Sequence, residues 1–113
     1  MRNEIKNRKT LGNLGEELAC IKLENMGYQI IDRNFHSKFG EVDLIGRKNE
    51  KLYFFEVKTR TSNRQGFPEE AVDNNKRRKI KNTINYYLLN SDIKYESIEF
   101  KVVAIYIDII EVW

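Results

Sequence analysis

The stretch Leu52-Tyr53-Phe54-Phe55-Glu56-Val57-Lys58-Thr59-Arg60 decides how the chain is read. Aromatic and β-branched residues dominate it, and these fit a pleated, half-buried surface. Alternate side chains of a strand share a face. One face carries Tyr53, Phe55, Val57 and Thr59; the other starts with Leu52 and Phe54 and turns charged at Glu56, Lys58 and Arg60. A face that passes from apolar to charged belongs to a strand that leaves the core near its end. Glu56 and Lys58 are then neighbours on that face.

Immediately upstream, Glu41 to Arg47 reads as a strand through Val42, Leu44 and Ile45, and Lys48, Asn49 and Glu50 form a polar turn. Strands joined by so short a turn make an antiparallel hairpin. A hairpin centred between Asn49 and Glu50 sets Asp43 opposite Glu56. A slip of one residue would send them to opposite faces. Further out, Tyr28 to Phe35 reads as another strand, and a helix is expected from about Leu11 to Met26. Thr10 suits its N-cap and Gly27 its left-handed terminator. Leu11, Leu14, Leu18 and Ile21 recur at helical spacing as its expected buried stripe, widened by Ala19, Leu23 and Met26. Gly12 and Gly15 weaken such a helix, which close packing against a neighbour would explain.

Downstream, Ser62 to Pro68 is a loop, broken by Gly66 and Pro68. A second helix is expected from about Glu69 to Leu89, with Glu69, Glu70 and Asp73 at its positive end. Tyr95 to Tyr106 reads as a strand, and Ile107 to Trp113 as an edge strand. A helical crossover between two strands of one sheet makes them parallel. The expected class is therefore α/β: a mixed sheet in the order helix-strand-strand-strand-helix-strand, covered by helices.

The 113 residues suit one domain, expected over 10–113 behind a flexible basic arm at 1–9. The content of 41% hydrophobic and 33% charged residues is that of a globular chain rather than a disordered one. No apolar run approaches the length that spans a bilayer. Cys20 is the single cysteine, which excludes a disulfide within a monomer, and the reducing cytoplasm is the expected compartment. The net charge is +3, with Arg2, Lys6, Arg8 and Lys9 in one cluster and Lys76, Arg77, Arg78, Lys79 and Lys81 in another that holds no acid. Such clusters suit a polyanion such as nucleic acid, or simply a solvated helix face.

Two carboxylates as close as Asp43 and Glu56 repel, more so when half-buried. Lys58 is one source of compensating positive charge and a hard divalent cation is another. Mg²⁺ takes one or two carboxylates and fills its shell with water and phosphate oxygens. Such an ion polarises a phosphodiester and acidifies bound water. Lys58 could orient or deprotonate that water, or stabilise the transition state. The alternative is an ordinary Glu–Lys pair at an exposed strand end.

The sequence resembles the YraN-like family of bacterial proteins, predicted nucleases similar to archaeal Holliday-junction resolvases of the PD-(D/E)XK superfamily. The resemblance is carried by Gly12-x-x-Gly15-Glu16-x-x-Ala19, Gly27-Tyr28, Arg33-Asn34, Gly40-Glu41-Val42-Asp43-Leu44-Ile45, Phe55-Glu56-Val57-Lys58-x-Arg60, and Gly66 with Pro68 through Ala71-Val72 to Lys76. It covers about residues 10 to 103 and implies a restriction-endonuclease-like core. It implies that Asp43 and Glu56 bind metal, Mg²⁺ or Mn²⁺, that Lys58 is catalytic, and that Glu16 joins the metal site from the first helix. The implied activity is endonucleolytic hydrolysis of DNA, branched or junction DNA included, and the resemblance allows a homodimer. Val42 stands at the superfamily's named proline, His36 where a basic arginine is expected, and Lys101 where the last strand often has an aspartate. The rival class is a nucleic-acid-binding or adaptor module that keeps the fold without cleaving.

Other residues follow from position. Lys76 lies between Val72 and Ile80 on the inward face of the second helix, where it either snorkels or reaches the site. Arg60, Arg77, Arg78 and Lys81, with Lys79, are expected phosphate contacts. Glu17 is expected in solvent, Glu41 in a structural or salt-bridge role, and His36 on a loop surface. Cys20 lies off the expected stripe, and Tyr86, Tyr87 and Trp113 are read as core or interface residues rather than base-stacking platforms.

Overall fold

The computed structural model describes residues 8–60 and 73–107. Helix α1 (Arg8–Asn25) is followed by strands β1 (Gln29–Ser37), β2 (Gly40–Lys48) and β3 (Lys51–Arg60), helix α2 (Asn74–Leu89) and strand β4 (Ser97–Tyr106). The sheet order is β1-β2-β3-β4, with β1–β2 and β2–β3 antiparallel and β3–β4 parallel. This is the mixed α/β arrangement expected from the element order. Residues 1–7 of the expected arm, the expected loop at 62–68, the start of the second helix at 69–72 and the edge strand beyond Ile107 lie outside the described residues; Arg8 and Lys9, expected in the arm, already belong to α1.

The β2–β3 turn needs no glycine. Asn49 (φ 51°) and Glu50 (φ 66°) are both left-handed, the backbone of a type I′ hairpin turn, whose twist matches the strands it joins. Arg47 donates to the Glu50 carboxylate at 2.8 Å. The register runs from Lys48↔Lys51 to Leu44↔Phe55, as a hairpin centred on Asn49 and Glu50 requires.

The two helices cover opposite faces. On the α1 face, Ala19, Leu23, Leu44, Tyr53 and Phe55 form one buried cluster, with Tyr28 edge-on to Tyr53 and Phe55. On the α2 face, Val42, Ile45, Leu52, Phe54, Ile80, Ile84 and Tyr87 form the other. The crossing of α1 is set by its smallest residues. At Gly15 a methyl group would collide with the Thr59 side chain, whereas at Gly12 it would meet nothing. Close packing thus accounts for Gly15 and not for Gly12.

Only the widened edge of the expected α1 stripe faces inward: Ala19 and Leu23 are buried, with Gly15 and Cys20 beside them, while Leu14, Leu18, Ile21 and Met26 are exposed. The small residues let the helix approach the sheet, and the large ones would hold it off. Nor is Thr10 the cap, because the helix runs through it to Arg8. Gly27 (φ 97°) does end α1. The Tyr28 N–H bonds the Leu23 carbonyl and the Gly27 N–H the Glu24 carbonyl, the paired bonds of a Schellman terminus. Lys48 Nζ donates to the Met26 carbonyl at 2.7 Å. In α2, Asp73 is the N-cap rather than an interior residue, its carboxylate accepting the Lys76 N–H at 2.8 Å.

Candidate functional site

Strand β2 separates from β3 at Asp43. The ladder ends at Leu44↔Phe55, and the next acceptor is a side chain: Asp43 Oδ2 receives the Val57 N–H at 2.7 Å. Strict alternation would put Val42 and Ile45 on opposite faces, yet both pack in the α2-side cluster. Asn34, between the Arg33↔Leu44 and Phe35↔Val42 rungs and left-handed at φ 52°, marks a local twist in β1 at the same level. Asp43 therefore sits where the hairpin's two strands diverge.

That divergence opens a cleft of about 370 Å³ beside α2, lined by Gly40, Glu41, Asp43, Glu56, Lys76 and Lys79, among others. Asp43 and Glu56 share it, as the register predicts. Glu56 is 13% exposed and accepts two ammonium groups on one oxygen, Lys58 Nζ at 2.9 Å and Lys76 Nζ at 2.6 Å. Lys76 thus points inward and reaches the site from the third residue of α2. Its N–H is held by the Asp73 cap, so the turn that presents its side chain is fixed.

The two carboxylates differ in electrostatics. Burial raises the Asp43 pKa most; the Val57 hydrogen bond opposes this, and the negative charges of Glu56, Glu16 and Glu41 add to it, giving about 6. Burial also pushes the Glu56 carboxyl upward, but its hydrogen bonds from Lys76 and Lys58 outweigh that and hold it below the ordinary glutamate value. For Lys76, burial works against the charged form and the contact with Glu56 overcomes it, so the ammonium is held above the usual lysine value. Glu56 is an ionised carboxylate with its countercharge in place. Asp43 is the poorly compensated one.

Glu16 is half-buried on α1 and is absent from the cleft lining, and its negative charge is a lesser contribution to the raised Asp43 pKa, after burial. Among the described residues, no three of His, Cys, Asp and Glu are grouped closely enough to hold one ion. Glu17 is paired with Arg33 at 2.9 Å rather than simply solvated. Glu41 lies 3.1 Å from His36 Nδ1, an ion pair only when the imidazole is protonated; His36 itself lies in strand β1 rather than a loop. Arg60 ends β3 half-buried, with Nη1 donating to the Thr59 carbonyl at 3.2 Å, and is absent from the cleft lining. Arg77, Arg78 and Lys81 are exposed on α2, with Arg78 bonded to Asn75 Oδ1 at 2.9 Å. Lys79, grouped in sequence with those outer cations, instead lines the cleft. Its spacing of three from Lys76 is the signal that places both on one side of the helix. Gly40 was also missed: at φ 150° it brings the β1–β2 hairpin against α2, where an added methyl would press on the Thr83 hydroxyl at 3.2 Å.

Fold and cleft together define a small mixed α/β protein with a carboxylate–lysine site at the splayed end of its central hairpin. Comparison with known sequences gives its family. The model of "Uncharacterised protein family UPF0102" matches residues 15–112. A UPF0102 protein of Persephonella marina is 43% identical over 94 residues, covering 83% of this chain and 81% of its own length. One of Caldicellulosiruptor saccharolyticus is 41% identical over 103 residues, covering 91% and 87%. One of Clostridioides difficile is 34% identical over 101 residues, covering 89% of each. The chain belongs to the UPF0102 family, the YraN-like family that its motifs resemble. Among the described residues no helix is long and apolar enough to cross a membrane.

Proposed function

We propose that this chain is a metal-dependent endonuclease that hydrolyses DNA phosphodiesters, branched or junction DNA among its substrates. The observation that carries the reading is the meeting of Lys58 and Lys76 on Glu56, a carboxylate that shares one open cleft with Lys76 and the half-buried Asp43. Asp43 and Glu56 fit a hard divalent ion, which needs only one or two protein carboxylates when water and phosphate oxygens complete its shell. Burial, and after it the negative charges of Glu56, Glu16 and Glu41, disfavour the ionised Asp43, and a divalent cation would offset both. Mg²⁺ or Mn²⁺ held there would polarise the phosphodiester and acidify a bound water.

The protein's own groups supply the rest. The Val57 N–H fixes the Asp43 carboxylate before any ligand arrives. Because Glu56 has two ammonium partners, Lys58 can turn to a phosphate oxygen or an attacking water while Lys76 keeps the carboxylate neutralised. Lys79 adds positive charge at the cleft, and Arg77, Arg78 and Lys81 suit sequence-independent contact with flanking phosphates.

The test is incubation with four-way junction, flap, single-stranded and duplex DNA in Mg²⁺, Mn²⁺ or EDTA. Cleavage is expected with either metal, absent in EDTA, and reduced at least about 100-fold by Asp43→Ala or Glu56→Ala. Cleavage unaffected by both substitutions would refute the assignment. One feature favours a second reading, a DNA-binding or adaptor module without cleavage: the two lysines already satisfy Glu56 without an ion. Metal-independent binding with no cleavage of any substrate would establish that alternative. Under either reading, neutralising Arg77, Arg78 and Lys81 together should weaken DNA binding and reduce the salt slope by about 3; unchanged affinity would remove this surface from the interface.

A further inference from the structure

Beside the cleft the β1–β2 hairpin and α2 share a row of aromatic rings. Phe39, at the hairpin tip, lies edge-on to Tyr86 at 6.1 Å; Tyr86 lies 6.2 Å from Phe35, and Phe35 meets Tyr87 at 5.0 Å. Tyr87 in turn packs on the buried Phe54 at 5.8 Å. The row therefore runs from the core to the surface, where Phe39 and Tyr86 remain 38% and 39% exposed. The inner rings account for anchoring the hairpin. They do not require the outer two to stay in water.

The surroundings of the outer pair are basic and adjoin the cleft. Lys38 Nζ stands 5.2 Å from the centre of the Phe39 ring. Gly40, which follows Phe39, lines the cleft and lies against Lys79 and Thr83. Lys76, Lys79, Thr83 and Tyr86 recur at helical spacing along one side of α2, roughly 15 Å from first to last at 1.5 Å per residue. A chain of phosphates entering at Lys76 and Lys79 would thus pass the Phe39–Tyr86 pair.

We infer that Phe39 and Tyr86 form a stacking platform for an unpaired nucleobase, placed by Lys38 and Lys79 next to the phosphate held in the cleft. The inference rests on the cleft being a nucleic-acid site and names the substrate class: DNA with a single-stranded segment at the reactive position. Bases in a duplex have their faces covered by their neighbours, whereas an unpaired base offers a π-face to any exposed ring. The positive charge beside the rings matches a phosphate backbone, which an apolar protein partner would not need.

The test uses the full chain in EDTA, so that binding is read apart from cleavage. Fluorescence anisotropy measures affinity for a single strand, a duplex with a single-stranded flap, and the blunt duplex. Phe39→Ala and Tyr86→Leu are each expected to weaken binding of the first two roughly tenfold and leave the blunt duplex within twofold. Phe39→Trp, which keeps a ring at an exposed turn, should bind as wild type. Equal affinity of wild type and both variants for the single strand and the flap would overturn the platform. So would intact DNA binding accompanied by a change in oligomeric state, which would make the rings a protein interface. Cleavage of DNA by variants that bind every substrate normally removes the platform and leaves the nuclease reading standing. A selective loss of single-strand binding in a chain that cleaves nothing keeps the platform and removes the nuclease reading.

Discussion

The two faces of the sheet are built to different tolerances. On one, α1 is drawn so close that Gly15 has no room for a methyl group beside Thr59. On the other, an open cleft lies between α2 and the splayed end of β2 and β3, and carboxylates and lysines line most of it. The same strand serves both. Leu52 to Phe55 of β3 are buried, and Glu56 to Arg60 are only partly covered. Close contact on the α1 side holds β3 in place at the level where its other side carries charge. A site with mutually repelling groups needs that kind of backing.

The sharpest way to break the contrast is to spoil the close face. Gly15→Leu should destabilise by about 3 kcal/mol, the upper range for overpacking, because the collision involves a strand side chain and the helix must lift. Gly12→Ala, on the same helix with nothing near, should instead stabilise by up to about 1 kcal/mol through helix propensity. Denaturant unfolding of both variants checks this. Equal and small effects would mean that α1 does not depend on the Gly15 contact.

On the open face the two carboxylates should respond with opposite signs. Glu56→Gln leaves the Lys58 and Lys76 ammonium groups together without their counter-ion and should cost roughly 2 kcal/mol at neutral pH, part of it recovered by adding Lys76→Met. Asp43→Asn keeps an acceptor for the Val57 N–H and removes a charge that burial and its acidic neighbours disfavour. It should stabilise by about 1 kcal/mol at neutral pH after allowance for solvent screening.

The pH dependence separates them further. The Asp43 pKa rises from 3.8 to about 6 on folding, so the folded state binds more protons between those values and wild type gains stability as pH falls through that window. The advantage of Asp43→Asn should therefore fade toward pH 4. Glu56 is shifted the other way, so its contribution is present above the ordinary glutamate value of 4.5 and is lost as pH falls below it. Thermal melts of wild type and both variants from pH 3 to 8 test the pair. An Asp43→Asn advantage that grows toward acid pH would show that the Asp43 environment has been misjudged.

Much of this was legible in residue order. Asn49 and Glu50 set the hairpin centre and with it the register, which holds as far as Leu44↔Phe55, the rung before Asp43 and Glu56. The switch from Leu52 and Phe54 to Glu56 and Lys58 announced the strand's change of role, and helical spacing put Lys76 inward. The buried side of α1 was misread because periodicity shows that an apolar stripe exists and not which side docks. Gly15 and Ala19 permit contact that Leu14 and Leu18 would prevent. The slip of alternation at Asp43 was likewise hidden, since it depends on a side chain replacing a ladder bond and on Asn34 adopting a left-handed backbone. Lys79 was grouped with the outer cations because charge clustering says nothing about which member faces the sheet.

The bond from Val57 to Asp43 gives the molecule an internal gauge. The amide proton of Val57 is shared with a titrating group and not with the sheet, so its chemical shift follows the charge on that oxygen. A single backbone resonance, needing no label beyond ¹⁵N, then reads out whatever enters the cleft and neutralises its acid.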